Sequence, residues 1–385
     1  MGERNEKRKI AFVIDSFQRG GVAMAAQVLL QFLAGAHYDI TLFVKKYDPA
    51  HMLPIPEGVR CRPWPTGKTR SPANRLRALL NWRNFGKKAV YEARCLPEFP
   101  GEYDCAIAYQ MVANDVTVVT LEKIRAKRKV LWLHGKKNFR QQDLAFYDDL
   151  YAKADRIVCV SLETEERFQR LMPKSAARTV TIHNLYDIPF IQSRALEPAE
   201  DMDTGSGSVK IVSVGRISKE KGFDRVPEVM GRLTDAGYDI HWYIVGDGDR
   251  RSAVESAVRE RRLENRVHFL GHRTNPYPYI RQCDIYVQPS YTEGFCTSTM
   301  EAKILCKSVV TTDVPGMREQ FADGENGLIV ESSADGIFDG IRRLLDAPEL
   351  RERFEERLRT EPVPNKAVLK QTIEAIDGPD GEALE

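Results

Sequence analysis

Two runs of alternation constrain this chain most, each pairing strand-like apolar segments with helix-like amphipathic ones. In the first run, strands are predicted at 9–14, 39–44, 104–108, 129–133, 156–160 and 178–182, with helices at 22–34, 73–94, 112–121, 142–153 and 162–171. The pattern breaks at Leu185–Ser208, whose second half is acidic and rich in Gly and Ser. It then restarts, with strands at 209–214, 240–245, 266–269, 284–288, 308–311 and 327–330. The matching helices fall at 223–236, 249–262, 276–282, 298–306, 317–322, 334–346 and 348–359. Strands separated by helices of ten or more residues make parallel sheets covered on both faces. The fold class is therefore α/β, with two Rossmann-like doubly wound domains facing a central cleft. The predicted division is a first domain at 1–185, a linker at 186–208, a second domain at 209–364 and a short acidic tail at 365–385. The tail is expected to pack back on the first domain.

Length supports this division, because 385 residues exceed what one ordinary core accommodates. Hydrophobic content of 42% and charged content of 29% are those of a water-soluble globular protein. No apolar run reaches the roughly 20 residues of a membrane span. The charged start runs straight into Ile10-Ala11-Phe12-Val13-Ile14, leaving no room for a signal-peptide core. Seven scattered cysteines without a Cys-x-x-Cys pair point to a reducing compartment and away from zinc. The expected location is cytoplasmic.

The net charge of +2 hides an asymmetry. Residues 1–185 hold 31 Lys+Arg against 19 Asp+Glu, while 186–385 hold 26 against 36. The basic excess is densest from Lys68 to Arg94, where Leu76, Leu79, Leu80, Trp82 and Phe85 interleave with it. One reading is a solvated helix face. The other is a helix resting on an anionic bilayer, which would make the protein peripheral on the inner membrane face. No nucleic-acid-binding motif accompanies the charge.

The chemistry concentrates after two strands of the second domain. Val214-Gly215-Arg216-Ile217-Ser218-Lys219-Glu220-Lys221-Gly222 follows the first. Gly215 permits close backbone approach, Arg216 offers a bidentate fork for phosphate oxygens, and Lys221 adds a point charge. Glu293-Gly294-Phe295-Cys296-Thr297-Ser298-Thr299-Met300-Glu301 follows the strand at 284–288. Carboxylates at the carboxyl end of such a strand suit hydroxyl-rich ligands, and the N-terminus of the following helix suits a diphosphate. Between these segments, Gly246 opens a tight Gly-Asp-Gly turn that is half of a dinucleotide motif and lines the crevice. Arg273 and Asn275 sit in a loop whose free backbone groups suit a nucleobase. In the first domain, Gly20-Gly21 precedes a helix, as an anion-approach turn does, and His134 ends the strand at 129–133. Asp201-Met202-Asp203 has the form of a metal-binding Asp-x-Asp but lies in the linker.

These residues resemble the retaining glycosyltransferases of family four, which have the two-domain GT-B architecture. The resemblance is strongest over residues 209–330, through Gly-Arg-x4-Lys-Gly, Val-Gly-Asp-Gly, Asn275-Pro276-Tyr277, Glu293-Gly294-Phe295 with Glu301-Ala302, and Asp323-Gly324-Glu325-Asn326-Gly327. It is looser in the first domain, through Gly20-Gly21, Trp132-Leu133-His134, Val158-Cys159-Val160-Ser161 and Ile182-His183-Asn184. It implies that Arg216 and Lys221 stabilise a leaving diphosphate and that Glu301 holds the ribose hydroxyls. It implies further that Glu293 sits near the transferred sugar, with Gly294, Phe295, Cys296 and Thr297 donating backbone N–H groups. Gly21 would approach the phosphate and His134 the sugar's reacting end. The implied donor is a nucleotide-diphosphate sugar, UDP-linked, used with same-face attack and without metal or cofactor. The implied acceptor is a lipid-linked glycan in capsule, exopolysaccharide or envelope assembly. The chain departs from the family at Cys296-Thr297-Ser298-Thr299, at Lys303, and at Val22-Ala23-Met24 after the first-domain glycines. Competing readings are a GT-B-shaped nucleotide-sugar epimerase or phosphorylase and an NAD-dependent oxidoreductase.

Overall fold

A computed structural model of the chain describes residues 7–18, 20–36, 38–67, 72–81, 84–110, 114–135, 139–199, 201–202 and 207–378. The chain divides into two compact units, Met1–Tyr186 with Pro364–Glu385, and Asp187–Val363.

The first unit carries strands β1 (Lys9–Ile14), β2 (Asp39–Val44), β3 (Val59–Pro63), β4 (Glu102–Gln110), β5 (Arg125–Leu133), β6 (Arg156–Cys159) and β7 (Thr179–Thr181). All pair in parallel, in the order β3-β2-β1-β4-β5-β6-β7. The helices are α1 (Gly21–Gly35), α2 (Pro72–Leu80), α3 (Phe85–Arg94), α4 (Asn114–Glu122), α5 (Leu144–Tyr151) and α6 (Leu162–Leu171). Their apolar faces cover the sheet, as parallel strands require. Ala11, Val13, Ala106, Ala108, Leu131 and Ile157 form the middle of one such core.

The second unit opens with α7 (Ile188–Arg194). Its strands are β8 (Val209–Val214), β9 (Ile240–Val245), β10 (Val267–Gly271), β11 (Ile285–Gln288), β12 (Val309–Thr312) and β13 (Leu328–Val330). They pair in parallel in the order β10-β9-β8-β11-β12-β13. The helices are α8 (Val226–Asp235), α9 (Arg251–Glu260), α10 (Tyr277–Gln282), α11 (Thr297–Ile304), α12 (Met317–Gln320), α13 (Ala334–Asp346) and α14 (Pro348–Thr360). In this order the chain direction across the sheet reverses between β8 and β11, and ligands of open α/β sheets bind outside the strand ends at such a switch point. The first unit has its own reversal between β1 and β4.

Three expectations need correction. The segment 186–208 is not plain linker. Asp187 Oδ1 accepts the Phe190 N–H at 3.0 Å and starts α7, while Ala199 and Met202 are buried. The segment after Pro364 is not a short polar tail. It forms α15 (Asn365–Asp377), which joins the first unit through Arg128 Nε to the Ala375 carbonyl at 2.9 Å and Tyr38 to Asp377 at 2.8 Å. The helix expected at 73–94 is two helices. Asn81 Nδ2 donates to the Arg77 carbonyl at 2.8 Å, and Asn84 Oδ1 accepts from the Lys87 N–H at 3.2 Å. These asparagines satisfy the last turn of α2 and the first of α3, so the helix stops and restarts. Lys68 to Ser71, Trp82 and Arg83 lie outside the described residues.

Candidate functional site

Two loops meet at the second unit's switch point, and glycines let them meet. The β8 loop runs from Gly215 to Gly222. Gly222 has φ +68, and a Cβ there would lie 2.0 Å from the Pro289 carbonyl oxygen. Only a residue without a side chain lets the loop rest on the end of β11. On the other flank, a Cβ at Gly246 would lie 1.9 Å from the Gly215 oxygen, and one at Gly248 2.3 Å from the Ile217 oxygen. Gly215 N–H and Ile217 N–H donate to the Val245 and Asp247 carbonyls at 3.0 and 2.9 Å. The Gly-Asp-Gly turn is therefore packed backbone to backbone against the β8 loop. That packing, rather than approach to a dinucleotide phosphate, accounts for both glycines.

The β11 loop runs from Pro289 to Cys296, and Arg225 holds its start. The Arg225 guanidinium donates to the Pro289 carbonyl at 3.1 Å and the Ser332 carbonyl at 2.8 Å, and lies 3.6 Å from the Tyr291 ring centroid. Gly316, at φ +78, lies beneath Gly294 and Phe295, since a Cβ there would sit 3.1 Å from the Gly294 oxygen. Sequence reasoning missed Arg225, Gly222 and Gly316 as supports. Their positions along the sequence carry no signal of what they touch.

The two loops bring Lys221 and Glu293 into an ion pair, with Lys221 Nζ 2.8 Å from Glu293 Oε1. Burial works against the Lys221 ammonium. Cys296 and Glu293 outweigh it despite the nearby Arg216 charge, so the lysine is held above its ordinary pKa. Arg216 is exposed, and its side chain has no ion pair or hydrogen bond among the described residues. Glu301, on α11, likewise has no hydrogen-bond partner among the described residues. Burial pushes its carboxyl up to about 8, only partly relieved by Lys221. Cys296 precedes α11 without any side chain capping the helix, and burial pushes its thiol up. Gly294, Phe295 and Thr297 are partly buried around that helix start. Arg216, Lys221 and the first turn of α11 supply fixed positive charge, while Glu293 and Glu301 supply acceptors beside it.

Arg273 and Asn275 are placed elsewhere. Arg273 pairs with Asp201, and Asn275 Nδ2 donates to the Arg194 carbonyl at 2.8 Å and Glu197 at 2.9 Å. Their side chains fasten residues 194–201 to the β10 loop, leaving only backbone groups of that loop for a base. The other two candidates belong to the first unit. Gly20 precedes α1, Gly21 is its first residue and is exposed, and both follow β1. His134 follows β5, is 9% exposed, and packs at a tilt of 51° against Tyr109 with centroids 4.2 Å apart. Its Nε2 is buried without a hydrogen-bond partner among the described residues, and burial pushes the imidazole down to about 3. His134 is neutral across the physiological range and cannot act there as a proton donor of imidazolium type. Among the described residues, no group of three or more His, Cys, Asp or Glu is arranged to hold a metal ion, and no helix is long and apolar enough to cross a membrane.

The class follows from fold and site together. Both units are Rossmann-like, and the chain has the GT-B fold. Over 95% of its length it superimposes on Anabaena HepE, solved in complex with UDP and glucose, with TM-score 0.75, 18% identity and 98% of that chain covered. Residues 200–361 match the family described as glycosyl transferases group 1. Among relatives, it is 30% identical over 213 residues to the Campylobacter jejuni N-acetylgalactosamine-N,N'-diacetylbacillosaminyl-diphospho-undecaprenol 4-alpha-N-acetylgalactosaminyltransferase, a match spanning 55% of this chain and 56% of that one. It is 26% identical over 311 residues to the lipopolysaccharide core biosynthesis glycosyltransferase LpsD of Rhizobium meliloti, covering 78% of this chain and 80% of that one. For several curated relatives the chain spans only about half their length.

Proposed function

We propose that the protein transfers a sugar from a nucleotide-diphosphate sugar, UDP-linked, to a hydroxyl of a glycan acceptor, lipid-linked, in envelope polysaccharide assembly. One observation carries the reading: the exposed Arg216 guanidinium and the Glu301 carboxyl, whose side chains have no hydrogen-bond partner among the described residues, converge with the paired Lys221 ammonium on one switch point. The cations and the α11 N-terminus would stabilise charge that develops on the leaving diphosphate. Glu301 would take the ribose hydroxyls, whose donation favours its ionised form. Glu293, anchored by Lys221, would face the sugar. The acceptor hydroxyl would attack from the face the phosphate leaves and pass its proton to that phosphate, which retains the anomeric configuration. No step in this scheme calls on a metal or cofactor. The names of the relatives, including a diphospho-undecaprenol-linked acceptor and lipopolysaccharide core, support the acceptor class.

Unfolding of the full chain is to be followed with UDP, GDP, ADP and their sugars. Stabilisation is expected with UDP and UDP-sugars, and no shift with any nucleotide would refute the reading. A membrane-surface role is part of the proposal. On α2, Leu76, Leu79 and Leu80 are 57, 69 and 72% exposed, at the spacing of one helix face, beside Arg75 and Arg77. Co-sedimentation should favour anionic over neutral vesicles and weaken in a Leu76/Leu79/Leu80→Ser variant. Equal binding to both vesicle types would remove the membrane role while leaving the transferase reading intact.

A further inference from the structure

Behind Glu293 lies a chain of buried polar groups that the scheme above does not use. Gln288 ends β11 and is fully buried, as is Ser290. Gln288 Nε2 lies 2.9 Å from Ser290 Oγ, and Ser290 Oγ lies 2.6 Å from Glu293 Oε1. On its other side, Gln288 Oε1 lies 3.0 Å from the Tyr286 hydroxyl and 3.3 Å from Ser298 Oγ. Cys296 Sγ lies 3.3 Å from Ser298 Oγ.

The direction of every hydrogen in this chain follows from what each atom can do. An amide nitrogen only donates, so Ser290 accepts from Gln288 and turns its own hydrogen to Glu293. An amide oxygen only accepts, so Ser298 turns its hydrogen to Gln288 and receives one from the Cys296 thiol. The Tyr286 hydroxyl accepts from the Val214 N–H at 3.3 Å and can donate to Gln288. The run is thus directed one way, from Cys296 through Ser298 into Gln288, and out through Ser290 to Glu293. Reversing the Gln288 amide would draw the Ser290 hydrogen away. Two oxygens 2.6 Å apart would then face each other with no hydrogen between them unless Glu293 carried one. Glu293 Oε1 therefore takes two donors, Ser290 and Lys221, and Oε2 has no partner among the described residues.

We infer that Gln288, acting through Ser290, is a positioning residue that turns Glu293 Oε2 toward the ligand and keeps that carboxyl an acceptor. Cys296 and Ser298 hold the Gln288 amide in the required orientation. The role rests on the nucleotide-sugar reading and specifies which oxygen of Glu293 meets the sugar.

The test uses the full chain with Ser290→Ala, Ser290→Thr and Gln288→Met. Stabilisation by free UDP reports the nucleotide half of the site, and kcat and KM with UDP-sugar report Glu293. The alanine and methionine variants should keep the UDP response and lose about tenfold to a hundredfold in kcat, the size of one hydrogen bond to a charged group. KM for the UDP-sugar should change less than kcat, because the nucleotide half of the site is untouched. Ser290→Thr, which keeps the hydroxyl, should restore kcat. Unchanged kcat in Ser290→Ala would overturn the role. So would parallel loss of UDP binding and of turnover, which marks a packing defect. A wild type that responds to no nucleotide would remove the transferase reading itself, and the role with it.

Discussion

Replacing Glu301 by glutamine should make the protein more stable in alkaline solution and worse at binding nucleotide. Glu301 is partly buried, with no hydrogen-bond donor to its carboxyl among the described residues, and its pKa in the fold is about 8 against an ordinary 4.5. Below pH 4.5 the group is neutral in both folded and unfolded chains and contributes nothing. Between 4.5 and about 8 the unfolded chain ionises while the folded one stays protonated, so the folded state loses ground steadily. At about 1.36 kcal/mol per pKa unit, the full penalty above pH 8 is about 5 kcal/mol. Part of the Glu301 surface meets solvent, which screens the charge and brings the expected gain in Glu301→Gln to about 2–4 kcal/mol at pH 9. For a domain of this size that raises the unfolding midpoint by about 5–10 °C. Thermal unfolding of both proteins at pH 4, 6.5 and 9 should show no difference, somewhat more than half of the full one, and the full one. Equal midpoints at pH 9, or the same difference at every pH, would refute the linkage. UDP should stabilise the variant less than wild type, since the glutamine cannot become the carboxylate that ribose hydroxyls favour.

Three other perturbations test the supports around the site. Gly222→Ala should cost about 3 kcal/mol or more, because the left-handed backbone and the 2.0 Å approach to Pro289 both oppose a Cβ. Gly237→Ala, also left-handed (φ +88) but with open space around it, should cost only about 1–2 kcal/mol, and equal midpoints would refute the contact argument. The His134 imidazole should show no titration by NMR between pH 5 and 8. Stability should fall below pH 6.5 at about 1.4 kcal/mol per pH unit, as the unfolded chain alone takes up that proton, and His134→Asn should remove this slope. Lys303 donates to the Gln320 carbonyl and to Glu361, both at 2.7 Å, so Lys303→Met should destabilise by about 1–3 kcal/mol at pH 7. Burial works against the Glu361 carboxylate, but Lys303 and Asn326 hold it below 4.5, so its stabilisation is present above that pH and lost as pH falls. The cost of the variant should shrink in acid, and a constant cost down to pH 3 would refute this pairing.

The alternation of strands and helices was legible because interior parallel strands are apolar on both faces, as Ile10–Ile14 and Trp242–Val245 are. Strand β3 was not. Val59–Pro63 carries Arg60 and Arg62 and ends in proline, and an edge strand bonded only to β2 tolerates all three. Helices α7 and α15 were hidden by neighbouring prolines and acidic residues, which suggest a linker and a tail when read without their caps and packing. The site's charged residues were legible in kind. Arg216, Lys221, Glu293 and Glu301 do gather at one sheet edge, whereas Arg273 and Asn275 turn to the 194–201 segment. Contact between loops distant in sequence decided that difference, and spacing along one loop does not encode it.

The polar run at Cys296-Thr297-Ser298-Thr299, which departs from the family pattern, acquires a physical reason from its surroundings. Two buried glutamines face the start of α11. Ser298 donates to Gln288 Oε1 at 3.3 Å, and Thr299 donates to Gln320 Oε1 at 2.6 Å, while Gln320 Nε2 donates to the Cys296 carbonyl at 3.2 Å. An apolar residue at 299 would leave Gln320 Oε1 without its side-chain donor, and one at 298 would leave Gln288 Oε1 with the Tyr286 hydroxyl alone, where a fully unpaired buried acceptor costs about 1–3 kcal/mol. Hydroxyls on the helix and amides on β11 and α12 are therefore one matched set. Ser298→Ala should be tolerated better with Gln288→Leu than alone, and Thr299→Val better with Gln320→Leu. In both double-mutant cycles the pair should cost less than the sum of the single changes. Strict additivity would mean that the run is polar for some other reason, such as contact with the donor itself.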